Sequence, residues 1–74
     1  MLGKELKKAR EEAGLSQEKL AFEAEIDRSY VSLLENDKKS PTLDVLFRIC
    51  GAMKIPASEL IARVEKGRTT KQRR

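Results

Sequence analysis

Apolar residues recur at three- and four-residue spacings from the start of this chain, and short polar runs interrupt them four times. Leu2, Leu6, Ala9 and Ala13 stand four, three and four apart, which predicts an amphipathic helix from Leu2 to Ala13. Gly14 closes it, since glycine takes a left-handed conformation at little cost. Leu20, Ala21 and Ala24 share one face of a predicted second helix, and Val31 and Leu34 form the apolar stripe of a third. Ser16 and Asp27 are expected to cap these two, each offering a side-chain oxygen to the free N–H groups of a first turn. The polar run Asn36-Asp37-Lys38-Lys39-Ser40-Pro41 follows, and Thr42 caps a fourth helix whose wide apolar face is Leu43, Leu46, Phe47, Ile49, Cys50 and Met53. Lys54-Ile55-Pro56 breaks that pattern. Leu60, Ile61 and Val64 mark a fifth helix from Ala57 or Ser58 to Val64. The expected fold is all-α: five helices, one core. Residues 1–66 form the domain, and 67–74 a basic flexible C-terminal tail.

The second and third helices are too short to persist alone and must pack against each other and their neighbours. Together they describe a helix-turn-helix unit. With Arg28 as first position of the third helix, Val31 and Leu34 point one way, while Arg28, Ser29, Ser32 and Leu33 cover the opposite arc. Arg can fork onto guanine, Ser can donate or accept, and an aliphatic group can touch a thymine methyl. The arc suits a major groove.

Composition narrows the function further. Seventy-four residues make one small domain near the lower limit for a single unstapled core. One cysteine, Cys50, excludes an intrachain disulfide, and there is no histidine. The usual nucleophile–base pairs and zinc-ligand clusters cannot be assembled from this set. An enzyme is not expected, nor a metal, a cofactor or a small-molecule ligand. No apolar run reads as a signal or a membrane span, so the expected compartment is cytoplasmic. The net charge of +4 belongs to the C-terminus: of 16 basic residues, Lys66, Arg68, Lys71, Arg73 and Arg74 stand in the last nine positions, so residues 1–65 carry 11 bases against 12 acids. A DNA-binding reading of the domain must therefore rest on where charges sit.

Three stretches carry a resemblance: Leu15-Ser16-Gln17-Glu18-Lys19-Leu20-Ala21, Ile26-Asp27-Arg28-Ser29-Tyr30-Val31-Ser32-Leu33-Leu34-Glu35, and Pro41-Thr42-Leu43 with Leu46. Together they resemble the XRE/Cro/CI-type helix-turn-helix domain, the lambda-repressor-like DNA-binding fold. The likeness covers about residues 4–64. Its small size and Asp-Arg-Ser-Tyr opening are also similar to restriction–modification controller proteins. The resemblance implies that Arg28, Ser29, Ser32 and Leu33 contact bases. It implies backbone contacts from Gln17, which also braces the recognition helix, and from Lys38, Lys39, Ser40 and Thr42. Tyr30, at the rim, either meets a phosphate or packs on the second helix. Arg10 and Glu35 match a structural ion pair, and the dimer surface maps to Leu60, Ile61 and Val64. Two departures concern turns: Glu25 and Asp37 stand where the family favours glycine.

The expected function is a DNA-binding transcription regulator acting as a homodimer on a pseudo-palindromic operator, with half-sites about one helical turn apart. The alternative is an antitoxin-type protein of the same fold, whose main partner is a toxin. RNA binding is disfavoured, because Phe22, Tyr30 and Phe47 supply no stacking platform.

Overall fold

The computed structural model describes residues 1–72, with side chains as far as Gly67. Its five helices are α1 (Leu2–Glu12), α2 (Gln17–Ala24), α3 (Arg28–Glu35), α4 (Leu43–Met53) and α5 (Ala57–Gln72), with no strand among the described residues. α2 packs on α3 and α4, α1 lies across α3 and α5, and α4 closes against α5. The all-α expectation is the observed fold.

The core takes Leu6 and Ala9 from α1, Leu20, Ala21 and Ala24 from α2, and Val31 and Leu34 from α3. Leu46, Ile49, Cys50 and Met53 of α4 and Leu60 of α5 complete it. Burying a Leu or Ile side chain contributes about 1.5–3 kcal/mol relative to exposure, so these positions hold the short helices in place. The apolar face of α4 is narrower than its sequence suggests. Leu43 and Phe47 are 62% and 58% exposed, and on α2 Phe22 is 77% exposed. Each follows its helix register, which turns it away from the buried side.

The first four helices end alike. The residues at +φ are Gly14 (75°), Glu25 (60°), Asp37 (57°) and Lys54 (60°). The next N–H in each case reaches back to a carbonyl five residues earlier: Leu15 to Arg10, Ile26 to Ala21, Lys38 to Leu33 and Ile55 to Cys50, at 2.9–3.1 Å. This is the Schellman arrangement. Leu15, Ile26 and Ile55 then fold onto the core. Only Gly14 takes the left-handed conformation without strain; for L-residues it costs about 1–2 kcal/mol. Among the described residues the chain accepts that cost three times.

Ser16 and Thr42 cap as expected, accepting from the N–H of Lys19 at 3.0 Å and of Val45 at 3.2 Å. Asp27 does not. It occupies the N-cap with extended backbone, but its side chain makes no cap hydrogen bond; Oδ2 accepts instead from Ser29 Oγ at 3.4 Å. The fifth helix also runs past its expected end at Val64, through Gly67, to Gln72. Glycine weakens a helix interior by about 1 kcal/mol relative to alanine but does not stop it, and no proline follows. The side chains of Arg68 and Lys71, and Arg73 and Arg74 as a whole, lie outside the described residues, so the basic tail has no structural account.

Gly3, which the apolar pattern passes over, fixes the α1–α3 crossing. A Cβ there would overlap the carbonyl oxygen of Glu35 and stand 2.8 Å from that of Leu34. Only a glycine lets α1 approach the end of α3 so closely.

Candidate nucleic-acid interface

Two core anchors set the face that α3 presents. Val31 and Leu34 are fully buried, which turns Arg28, Ser29 and Leu33 to the exterior and leaves Ser32 half-buried. Ser29 lies beside Asp27, and Ser32 Oγ accepts from Asn36 Nδ2 at 3.4 Å. Tyr30 is half-buried and packs against the core.

Below this face lies a polar network that starts in the interior. Arg10 and Glu35 are 8% and 9% exposed. Arg10 Nε donates to Glu35 Oε2 at 2.6 Å and Nη2 to Oε1 at 3.2 Å, while Nη1 donates to the carbonyl of Leu15 at 2.8 Å. Donating to the Glu35 carboxylate holds the Arg10 guanidinium pKa above its ordinary value. Gln17, the first residue of α2, adds Nε2 to Glu35 Oε1 at 3.0 Å. Its Oε1 accepts from Arg28 Nη1 at 3.4 Å. Gln17 thus joins α2 to both ends of α3, and Arg10 ties α1 to the same carboxylate.

The loop after α3 is anchored by its own carboxylate. Asp37 Oδ1 accepts from the N–H of Gly3 at 2.9 Å, and Oδ2 from the amino group of Met1 at 2.8 Å. The amino group and then the Gly3 N–H hold the Asp37 carboxyl below its ordinary range. Asp37 therefore caps α1 from outside its own sequence. Lys38, Lys39, Ser40 and Thr42 follow on the exposed loop.

The helix-turn-helix turn has a clamp that the sequence reading did not single out. Arg48 of α4 donates Nε to the carbonyl of Ala24 at 3.1 Å and Nη2 to that of Glu25 at 2.8 Å, and Nη1 to Asp44 Oδ2 at 3.3 Å. These carbonyls at the α2 terminus have no helical partner. The i,i+4 spacing of Asp44 and Arg48 was the only sequence signal available.

One member of the expected dimer surface is misplaced. Leu60 is fully buried in the core, because it fills the angle where α5 meets α1 and α4. Ile61 is 43% exposed and Val64 half-buried.

Other chemistry finds little support. No group of three His, Cys, Asp or Glu could hold a metal among the described residues. Cys50 is buried, and burial raises its thiol pKa, away from the reactive thiolate. No helix among the described residues is long and apolar enough to cross a membrane. What the exposed arc offers is a fork donor, two hydroxyls and an aliphatic group, with lysines on the adjoining loop. Base edges and phosphates take those groups.

A family profile described as Helix-turn-helix matches residues 6–60. The control protein C.MunI of Mycoplasma sp is 42% identical over 65 residues, which cover 86% of this chain and 88% of that protein. The immunity repressor protein of Bacillus phage phi105 is 35% identical over 60 residues, 81% of this chain but 42% of that longer protein. Among solved structures, the restriction-modification controller protein C.AhdI from Aeromonas hydrophila superposes with a TM-score of 0.78 at 37% identity, over 80% of this chain and 89% of that one. The clp gene regulator ClgR from C. glutamicum shares the fold, with a TM-score of 0.83 at 23% identity over 89% and 86% of the two chains.

Proposed function

Because this chain belongs to the XRE-type helix-turn-helix family and is thereby a DNA-binding regulator, we propose that it acts as a homodimer on a pseudo-palindromic operator, as a restriction–modification controller. The observation that carries this reading is the likeness to controller proteins over nearly their whole length. The antitoxin alternative is not favoured, since the relatives named are controllers and a phage repressor.

In this reading α3 enters the major groove. Arg28, Ser29, Ser32 and Leu33 meet base edges, and Gln17, Lys38, Lys39, Ser40 and Thr42 meet the sugar–phosphate backbone. Tyr30 has its ring committed to the core and reaches the backbone with its hydroxyl alone. Two copies meet through Ile61 and Val64 of α5, joined by the exposed Leu43 and Phe47 of α4.

Sedimentation across micromolar concentrations, with footprinting on DNA upstream of the protein's own gene and its neighbours, tests both halves. A reversible dimer is expected, with two symmetric protections separated by roughly 34–36 Å. A persistent monomer, or a single unpaired half-site, overturns the reading.

A further inference from the structure

Arg48 stands where two faces of α4 meet. Leu43 and Phe47 share one line along the helix, and Asp44 and Arg48 the line beside it. The first line is exposed, Leu43 at 62% and Phe47 at 58%. The second turns to the end of α2. There one guanidinium spans two successive carbonyls, Nε on Ala24 and Nη2 on Glu25, while Asp44 holds Nη1. Neither carbonyl accepts from a backbone N–H among the described residues. A planar fork on both fixes two peptide planes at once. Glu25 takes a φ of 60° at this point, and three residues later Arg28 opens the recognition helix. α3 packs chiefly on α1 and α2, so α4 reaches the reading end of α3 by way of α2 and this turn. The other end of α3 is fixed separately, by Gly3 and by the Arg10–Glu35 pair.

We infer that Arg48 determines which half-site spacing the protein accepts, by tying the reading end of α3 to α4, the helix that carries Leu43 and Phe47 into the dimer. The inference rests on the homodimer and operator proposed above, and adds what sets the distance between the two α3 helices. Arg48 is a positioning residue, with no contact to base or phosphate assigned to it. Half-sites one helical turn apart lie on the same side of the duplex. Each base pair added between them shifts the second by about 3.4 Å and turns it by about 35°. A dimer with a stiff link from α4 to each α3 fits one spacing and loses contacts at its neighbours. With the link cut, each α3 pivots about its fixed carboxyl-terminal end and meets the neighbouring spacings as well. The Arg48 side chain is 40% exposed, so the link can be removed without opening the core.

Selection from a random double-stranded DNA library yields the operator, and two further probes carry one base pair more or one fewer between unchanged half-sites. Binding of all three is measured for wild type, Arg48→Met, Arg48→Lys and Lys38→Ala. Wild type is expected to bind the selected spacing about ten-fold or more tightly than either alternative. In Arg48→Met that ratio falls below about three-fold. Arg48→Lys keeps the charge without the fork and falls between the two. Lys38→Ala removes a phosphate contact, so it weakens all three probes and keeps the wild-type ratio. The inference is overturned if Arg48→Met keeps the wild-type ratio, whether at full affinity or with all three probes weakened by one factor, as lost stability alone would weaken them. Should Arg48→Met fail to fold, Arg48→Lys decides on the same ratio. A wild type that is indifferent to spacing, or that selects a single half-site, overturns the dimer reading and this inference with it. Equal spacing discrimination in wild type and Arg48→Met overturns only the role of Arg48.

Discussion

Arg48 donates to the carbonyl oxygen of Glu25 at 2.8 Å, so the residue bearing left-handed strain between the two helices is held by an arginine two elements away. The strain and the clamp are separable. Glu25→Gly should raise stability by up to about 1 kcal/mol, strain relief outweighing the entropy of an unfolded glycine. Arg48→Ala should cost about 0.5–1.5 kcal/mol, because the freed carbonyls lie near water that can replace the arginine. Thermal melts of the two variants check this; a lower melting temperature for Glu25→Gly would refute the strain.

Gly3 offers the sharpest test of packing. Gly3→Ala places a methyl group 2.6 Å from the carbonyl carbon of Glu35, and backbone on both sides must move. A loss of about 1–3 kcal/mol or more is expected, whereas Gly51→Ala, inside α4 where an added Cβ meets nothing within 4 Å, should gain up to about 1 kcal/mol. Urea midpoints of the two variants measure the contrast.

Leu60 and Ile61 are neighbours with different work. Leu60→Ala should destabilise the monomer by about 2–5 kcal/mol, the usual range for a buried leucine. Ile61→Lys should leave the helical signal unchanged and shift sedimentation toward monomer. If Ile61→Lys unfolds the chain, the proposed dimer surface is misassigned.

Acid should loosen the α1–loop contact through Asp37. Its carboxyl titrates below the ordinary value of 3.8 because the charged form is held by the Met1 amino group and the Gly3 N–H. A depressed pKa contributes stability above the unfolded value, and that contribution is lost as pH falls through the folded value. Asp37→Asn keeps an acceptor for Gly3 and removes the charge. Wild type should therefore exceed Asp37→Asn in stability at neutral pH, and the gap should close below about pH 4. Urea titrations at pH 7 and pH 3 give both values.

Reading and holding should separate on DNA. Arg28→Ala should cost about 1–3 kcal/mol per half-site on the selected operator and relax one base pair. Lys38→Ala should weaken selected and scrambled DNA alike and lower the salt slope by about one unit per site. Binding isotherms at several salt concentrations decide between the two behaviours.

What was legible in the sequence was what local chemistry controls. Apolar spacing located all five helices, Ser16 and Thr42 announced their caps, and a glutamate in a glycine's place pointed to the strained turn. Asp27 looked like a cap but makes none, because whether its oxygen reaches an N–H depends on its rotamer. Leu60 looked like an interface residue because spacing shows that a face is apolar and not what covers it. The resemblance placed Arg10 beside Glu35 and Gln17 against the recognition helix, but which atoms of Gln17 meet Glu35 and Arg28 needed three-dimensional placement. Gly3, Asp37 and Arg48 were illegible for the same reason: each acts on backbone more than 20 positions away.

The close approach at Gly3 also has an electrostatic meaning. It brings the carboxyl-terminal end of α3 against the amino-terminal end of α1, so the negative pole of one helix dipole meets the positive pole of the other. The dipole of α3 is thus matched at both ends, by the N-terminus of α1 at its carboxyl end and by the Asp27 carboxylate at its N-cap.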